Sequence, residues 1–322
     1  MNLAVIGASG EVGRMMIKVL QENSIQPESV DFYSSSKSAG KSIRFYEKKY
    51  IIKELNEDSL KRKYDYILMS AGGNVSKRFS PIAEKYGSTI IDNSSAFRSD
   101  DTKPLVVPEI NGKLLKDYYG IIANPNCSTI QMVLNLYKIH QEFGISKIVV
   151  STYQAASGAG KKGIEELEMQ EKGIINPKVF SKQLFENVVP KIGTFLESGF
   201  STEEMKMVNE TQKILEDKSI DIWPTTVRVP VLYGHSESIY IETKKEFVFD
   251  DIINKLEESE HVKVTTGDIT PLEIAGSNIT YVSRIRTFNN KSVLFWNVAD
   301  NIRVGAATNA VRILIKHREL NK

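Results

Sequence analysis

Residue types able to do nucleophilic chemistry are few in this chain and widely spaced. Among 322 residues there is one cysteine, Cys127, and four histidines. Cys127 stands in Ala123-Asn-Pro-Asn-Cys-Ser-Thr-Ile130. Pro125 ends the extended segment from Gly120 to Asn124. After it, Ile130, Val133, Leu134, Tyr137 and Ile139 recur at helical spacing, which predicts a helix with Cys127 in its first turn. Unpaired N–H groups and the positive end of the helix dipole point there, and both favour a thiolate. A lone cysteine is ordinarily a small buried hydrophobe. A nucleophile needs a stabilised anion and an open backbone, and a Pro-Asn turn into a helix supplies both.

A thiol nucleophile also needs an acid/base partner. His140 lies thirteen residues along the same predicted helix, about 20 Å away along the axis, and cannot reach. His317 is in a basic run near the C-terminus and reads as a solvated helix end. His261 sits in the charged turn Glu257-Glu-Ser-Glu-His-Val262. His235 remains, at a glycine-led strand junction not far from Arg228, and elimination makes it the acid/base candidate.

The elements that must position these groups fall into two halves. Leu3-Ala-Val-Ile6 reads as a buried parallel strand. It runs into Gly7-Ala-Ser-Gly-Glu-Val-Gly13 and an amphipathic helix carrying Met16, Ile17, Val19 and Leu20. Strand, glycine turn and helix form a dinucleotide-binding context, although Ala8 replaces one glycine of the usual frame. Gly7, Ser9, Gly10, Glu11, Val12 and Gly13 are therefore cofactor-site candidates. Gly10 allows close approach of a pyrophosphate, Gly13 allows helix–strand contact, and the helix start is the anion site.

The next strand, Val30–Tyr33, has its one acid, Asp31, at the wrong end to hold a ribose 2′-hydroxyl. Its C-terminal end reads Ser34, Ser35, Ser36, Lys37 and Ser38 and continues to Lys41, which suits a 2′-phosphate and so NADP(H). A plain polar loop is the alternative. Strands at Tyr64–Ser70 and Ser88–Ile91 deliver Ala71, Gly72, Gly73, Ser94, Ser95 and Arg98 to strand ends, with a helix from Asn74 to Tyr86 between them. Arg98 there suits an anion clamp.

Further on, Lys147–Gln154 reads as a strand, followed by the small-residue loop Ala155–Gly163. Ser201 and Glu204 form a capping-box pattern. Glu203, Lys206 and Glu210 then share one helix face, which on pattern alone is a surface ion-pair row. Thr225–Val231 and Ser236–Glu242 alternate as strands, so Arg228 and His235 are expected on successive segments of a β-ribbon. A short helix at 250–257, strands at 279–288 and 292–298 and a terminal helix from Asn301 to Leu320 complete the chain. The fold class is α/β: a Rossmann-type doubly wound parallel sheet, plus a second α+β domain with a mixed sheet. The expected domains are 1–126, completed by 301–322, and 127–300.

Composition excludes several classes. The formal charge is +2 with acids and bases interspersed, which gives no nucleic-acid footprint. The single cysteine rules out an intrachain disulfide framework and fits a reducing, cytoplasmic setting. The run Leu3–Ile6 is too short for a signal peptide, nothing approaches a membrane-spanning length, and no metal is expected.

Taken in order, GASGEVG, SSKSAGK, SSAFR with PLVVPEIN, NPNCST, YQAASGAG, EEMKMVNETQKI, RVPVLYGHSESIYIE and DNIRVGAATNAVRI resemble the aspartate-semialdehyde dehydrogenase family of the bacterial NADP-dependent kind. The resemblance spans nearly the whole chain. It implies that Cys127 is the nucleophile, His235 the general acid/base, and Gln154 the residue that orients the acyl group. It implies Arg228 for the substrate carboxylate, Glu203 for its amino group, and Arg98, Asn126 and Lys206 for phosphate. Ser157, Gly158 and Asn301 would line the nicotinamide, and Ser34 to Lys37 the 2′-phosphate. The implied reaction is NADPH-dependent reductive dephosphorylation of 4-phospho-L-aspartate to L-aspartate 4-semialdehyde through a thioester, by a homodimer. It would serve lysine, threonine, methionine and diaminopimelate synthesis. Sister acyl reductases, of the N-acetylglutamyl-phosphate or malonyl-CoA type, are the alternative. Glu203 with Arg228 discriminates, because an amino-acid substrate needs both of its charges met.

Overall fold

Leu3, Ala4, Val5 and Ile6 are completely buried, as a strand covered on both faces requires. They belong to β1 (Asn2–Ile6), which leads into α1 (Glu11–Glu22), β2 (Ser29–Ser34), β3 (Ser42–Phe45), β4 (Lys48–Ile51) and β5 (Lys53–Glu54). Then come β6 (Tyr66–Met69), α2 (Gly73–Lys85), β7 (Thr89–Asp92), α3 (Pro108–Asn111) and β8 (Ile121–Ala123). The computed structural model describes residues 1–322 and separates into two units, Met1–Pro125 with Ala306–Lys322, and Asn126–Gly305.

The first unit's sheet has the order β5-β2-β1-β6-β7-β8, with every pair parallel. β1 has β2 on one side and β6 on the other, so successive crossovers leave it in opposite directions. A crevice opens beyond the carboxyl ends of the strands at such a switch point. Met16 and Leu20 of α1 pack on one face with Leu3, Val5 and Leu68. Phe79 and Ala83 of α2 pack on the other with Ala4, Ile6 and Met69. The sheet is therefore doubly wound. The β3–β4 hairpin has no counterpart in the sequence reading. Its strands are mostly exposed, and Phe45 and Tyr50 anchor it against Phe32 by edge-on ring contacts.

The second unit starts with α4 (Cys127–Phe143) and continues through β9 (Ile145–Gln154), α5 (Lys161–Glu171), α6 (Thr202–Ile214), β10 (Asp221–Arg228) and β11 (His235–Thr243). It ends with α7 (Phe249–Glu257), β12 (Val262–Val264), α8 (Pro271–Ile274), β13 (Thr280–Asn289) and β14 (Ser292–Ala299). The sheet order is β10-β9-β11-β14-β13-β12. β10 with β9 and β12 with β13 are parallel, and the other pairs are antiparallel. One face packs against Met132, Leu136 and Ile139 of α4, Met207 of α6, and Ile252 and Leu256 of α7. β9 lies between β10 and β11, so Arg228 and His235 are not on a shared ribbon as expected. The link Val229–Gly234 carries a proline and crosses over β9 instead of turning back.

α9 (Asn309–Leu320) returns to the first unit, where Val311 and Leu314 join the core beside α1. It begins eight residues later than the sequence pattern suggested, after a wide turn over Arg303–Thr308. His317 is not solvated there. It is 1% exposed, its Nε2 donates to the Tyr118 carbonyl, and its Nδ1 accepts from the Tyr66 hydroxyl. No helix is long and apolar enough to cross a membrane.

The turn after β1 depends on backbone contact. Gly7 has φ +81° and Gly13 lies directly over it, where an added Cβ would stand 2.2 Å from the Gly7 carbonyl oxygen. Neither backbone can yield without moving the strand. Gly13→Ala is expected to destabilise the protein by about 1–3 kcal/mol and to weaken dinucleotide binding, checked by denaturant unfolding and a binding titration.

Candidate active site

The turn into α4 is held from beneath by carboxylates. Asn126 is the N-cap of α4, and its side-chain oxygen accepts from the N–H groups of Ser128 at 3.0 Å and Thr129 at 3.4 Å. Its main-chain N–H donates to Glu210 Oε2 at 2.6 Å, and its Nδ2 donates to Glu203 Oε1 at 2.8 Å. Glu203 also accepts from Lys206 Nζ at 2.8 Å. Ser201 caps α6 through the expected box with Glu204, which fixes the register that brings Glu203 and Glu210 round to Asn126. The predicted surface ion-pair row is thus a buried one: Glu203 is 7% exposed and Glu210 4%. The helix spacing was legible, but which face met the core was not, and the role of Glu210 was missed. Gly305 was missed too: an added Cβ there would lie 2.6 Å from the Cys127 Cβ, so the chain returns to press its backbone against the cysteine.

One edge of the second sheet gathers the other groups. Gln154 ends β9 and Arg228 ends β10 directly beside it in register. His235 begins the antiparallel β11, and Asn301 follows the end of β14. Alternating strand direction thereby collects residues from four separate parts of the chain. Arg228 Nη1 donates to the Ala155 carbonyl at 2.6 Å, and the guanidinium lies over the Phe180 ring. Burial lowers the Arg228 pKa, while the negative charges of Cys127 and Glu203 raise it. Gln154 is 1% exposed and its Nε2 donates to Thr152 Oγ1. Asn301 accepts from the Gly234 N–H and donates to Ser157 Oγ at 3.0 Å, pinning two loops together.

His235 is completely buried. Burial first, and then the charge of Arg228, hold its pKa well below the usual histidine range, against the Gly234 carbonyl, which raises it. The Ala155 N–H donates to His235 Nδ1 at 3.0 Å. A backbone N–H can only donate, so Nδ1 keeps its lone pair and the neutral ring carries its proton on Nε2. Nε2 has no hydrogen-bond partner within the protein. A Cβ on Gly158 would lie 3.2 Å from Nε2 and 2.7 Å from Arg228 Nη1. Glycine there keeps open the space next to both groups.

In the first unit, a cleft of about 500 Å³ lies at the switch point, lined by Gly7, Ser9, Gly10, Ser34, Ser35, Ser36 and Ala71. Ser9 Oγ and Ser34 Oγ are 2.6 Å apart, tying the glycine turn to the end of β2. Glu54 and Arg78 also line the cleft and were not anticipated, since they come from β5 and α2. Asp31 is bound to Lys53, Arg62 and Tyr64 and is turned to the sheet edge rather than to a ribose. Arg98 Nε donates to the Asn124 carbonyl and Nη2 to the Asn93 carbonyl, so it staples two strand-end loops.

The N-cap is the local determinant of where Cys127 stands. Asn126→Ala removes two helix-start bonds and leaves Glu203 short of a donor. A loss of about 1–2 kcal/mol is expected, read from the denaturation midpoint.

Comparison with known proteins agrees with this architecture. Residues 2–118 match the family described as semialdehyde dehydrogenase, NAD binding domain, and residues 136–304 match semialdehyde dehydrogenase, dimerisation domain. The aspartate-semialdehyde dehydrogenase of Aquifex aeolicus (strain VF5) is 45% identical over 327 residues, covering 97% of this chain and 96% of that protein. Aspartate-semialdehyde dehydrogenase 2 of Vibrio cholerae is 41% identical over 324 residues, with coverage of 97% and 96%. A crystal structure of aspartate semialdehyde dehydrogenase II from Vibrio cholerae, described as complexed with ASA, superposes with a TM-score of 0.94 at 40% identity, over 99% of this chain and 98% of that one. Sequence, domain order and fold place this chain in the aspartate-semialdehyde dehydrogenase family, oxidoreductases with an NAD(P)-binding domain.

Proposed function

We propose that this protein reduces 4-phospho-L-aspartate to L-aspartate 4-semialdehyde with release of phosphate, using NADPH and a thioester on Cys127. The observation that carries the reading is Arg228. One buried guanidinium feels the charges of both Cys127 and Glu203 and stands beside His235. A cation and an anion held next to a thiol match the α-carboxylate and α-amino groups of an amino acid. Sister acyl reductases have no need for both charges.

The Cys127 thiolate, favoured by the start of α4 and by Arg228, attacks the acyl carbon. The bond to the phosphate oxygen breaks and phosphate leaves, with Asn126 and Lys206 as its proposed ligands. Gln154 orients the acyl oxygen. When bound, NADPH would supply the hydride that reduces the thioester carbon. His235 Nε2–H donates a hydrogen bond to the oxyanion that hydride addition leaves; as the carbonyl re-forms, the carbon–sulfur bond breaks to release the aldehyde and the thiolate, and the proton stays on Nε2. Burial of His235 keeps water from competing for that proton.

The glycine turn, the switch-point cleft and the neighbouring serines suit a dinucleotide. Ser34 to Lys37, with Ser38 beyond, support NADP over NAD, since no acid stands at the end of β2 to hold a 2′-hydroxyl. Ser157, Gly158 and Asn301 are proposed to line the nicotinamide. The products suit lysine, threonine, methionine and diaminopimelate synthesis, and a reducing cytoplasm would keep Cys127 a thiol. A homodimer is also proposed. The sheet face away from α4 exposes Val149 and Trp223, 40% and 52% accessible, and a second copy would cover them.

The direct test is NADPH production from L-aspartate semialdehyde, phosphate and NADP, run beside NAD and beside the N-acetylglutamyl and malonyl-CoA substrates. Turnover is expected with aspartate semialdehyde and NADP, and Cys127→Ala should abolish it while leaving dinucleotide binding intact. Substantial activity in that variant would refute the covalent route.

Arg228 and Lys206 should separate kinetically. Arginine forks onto a carboxylate, whereas lysine offers phosphate a point charge. Arg228→Lys is expected to lower kcat/KM for the semialdehyde by about 100-fold or more, equivalent to about 2.7 kcal/mol. Lys206→Ala should raise the phosphate KM more than the semialdehyde KM. An unchanged phosphate KM would leave Lys206 as only the ion-pair partner of Glu203.

A further inference from the structure

Within the second unit, a buried polar cluster takes no part in the mechanism above. Glu237 lies on β11 two residues after His235, on the same face of the sheet. It is completely buried. Its Oε2 accepts from Asn297 Nδ2 of β14 at 3.0 Å, and the Gln131 side chain of α4 also hydrogen-bonds to it. Asn297 Oδ1 accepts in turn from Thr280 Oγ1 of β13 at 2.7 Å. Gln131 stands one helical turn after Cys127, and its Nε2 also reaches the His235 carbonyl at 3.5 Å. A chain of polar side chains thus joins the helix of the thiol to the strand of the imidazole.

No cation completes this cluster. Thr152 of β9 and Asn297 of β14 pair with Glu237 in register, and the Gln131 side chain meets it from α4, all of them uncharged. Only burial and the hydrogen bonds of Gln131 and Asn297 act on its titration. Two buried acceptor oxygens, Glu237 Oε1 and Gln131 Oε1, have no hydrogen-bond partner. A proton on Glu237 Oε1 turns one of these acceptors into a donor. A carboxylate at that place would be an uncompensated buried charge.

We infer that Glu237 is held as a neutral carboxylic acid and, in that form, is a positioning residue that hydrogen-bonds the Cys127 helix to the His235 strand. Burial pushes its pKa up to about 8, against the hydrogen bonds from Gln131 and Asn297, which lower it. In the unfolded chain the group titrates near the ordinary glutamate value. Between those two values the native protein holds a proton that the unfolded chain has lost. The stability contributed by the neutral acid is therefore complete below the unfolded pKa and is lost as pH rises towards about 8.

The test compares Glu237→Gln and Glu237→Leu with the parent in the full-length protein. Glutamine copies the neutral acid and cannot ionise. Its melting temperature relative to the parent should rise as pH goes from about 5 to about 8.5, and its kcat should stay within about threefold of the parent, with the alkaline limb moved upward. Leucine keeps the volume but makes no hydrogen bond. It should lower kcat about 10- to 100-fold with little change in KM, and slow alkylation of Cys127 by iodoacetamide, while NADPH binding is retained. A glutamine variant less stable than the parent at alkaline pH, or as inactive as leucine, would show that the carboxylate itself is needed. A leucine variant with parental kcat would overturn the positioning role. The inference rests on the proposed reaction only for kcat. The melting and alkylation readouts are independent of it, so a failure of either is distinguishable from a wrong substrate.

Discussion

The functional half of this protein depends on how the backbone turns at Asn126. A helix start leaves N–H groups unpaired, and here that deficit is met from both sides. The Asn126 side chain takes two of the N–H groups of α4, and Glu210 takes its own main-chain N–H. Glu203 holds its amide nitrogen. Glu203 also pairs with Lys206, whose side chain is about a third exposed, so solvent screens that ion pair from one side. Buried carboxylates on buried N–H donors matter more, because removing a donor leaves a desolvated group unmatched, at a cost of about 1–3 kcal/mol. Cys127 therefore stands where a rigid network puts it.

The same arrangement explains how charges persist in a dry site. Arg228 is 6% exposed, yet it has a carbonyl, an aromatic face and two anionic neighbours to offset its desolvation. His235 next to it has only the Gly234 carbonyl to offset its burial, and its pKa stays well below the usual histidine range. Burial first, and then the charge of Arg228, disfavour imidazolium at His235.

Catalytic precision and cofactor binding are built by different means. In the first unit, glycines allow backbone to lie against backbone, and the parallel sheet places the cleft at its switch point. In the second, mixed strand directions bring two strand ends, one strand start and the loop after another strand end to a single edge. A purely parallel sheet would have kept His235 at the opposite edge from Gln154 and Arg228.

Much of this was legible in the residues alone. Periodicity located β1, α1, α2, α4 and α6, because an apolar stripe at a fixed period has one economical fold. Capping chemistry located Cys127 at a helix start and Ser201 at another, since helix ends are local events. The rise of a helix was enough to set His140 aside, whereas His317 was set aside as solvated and is buried. What the sequence could not convey was which polar faces turn inward. Glu203, Glu210 and His317 read as surface groups and are buried, because their partners lie 77, 84 and 251 residues away in the chain. Strand order was equally hidden: Arg228 and His235 are close in sequence yet lie on strands separated by β9. Local propensity is written residue by residue, whereas burial and register are set by contacts between distant segments, and only tertiary packing decides those.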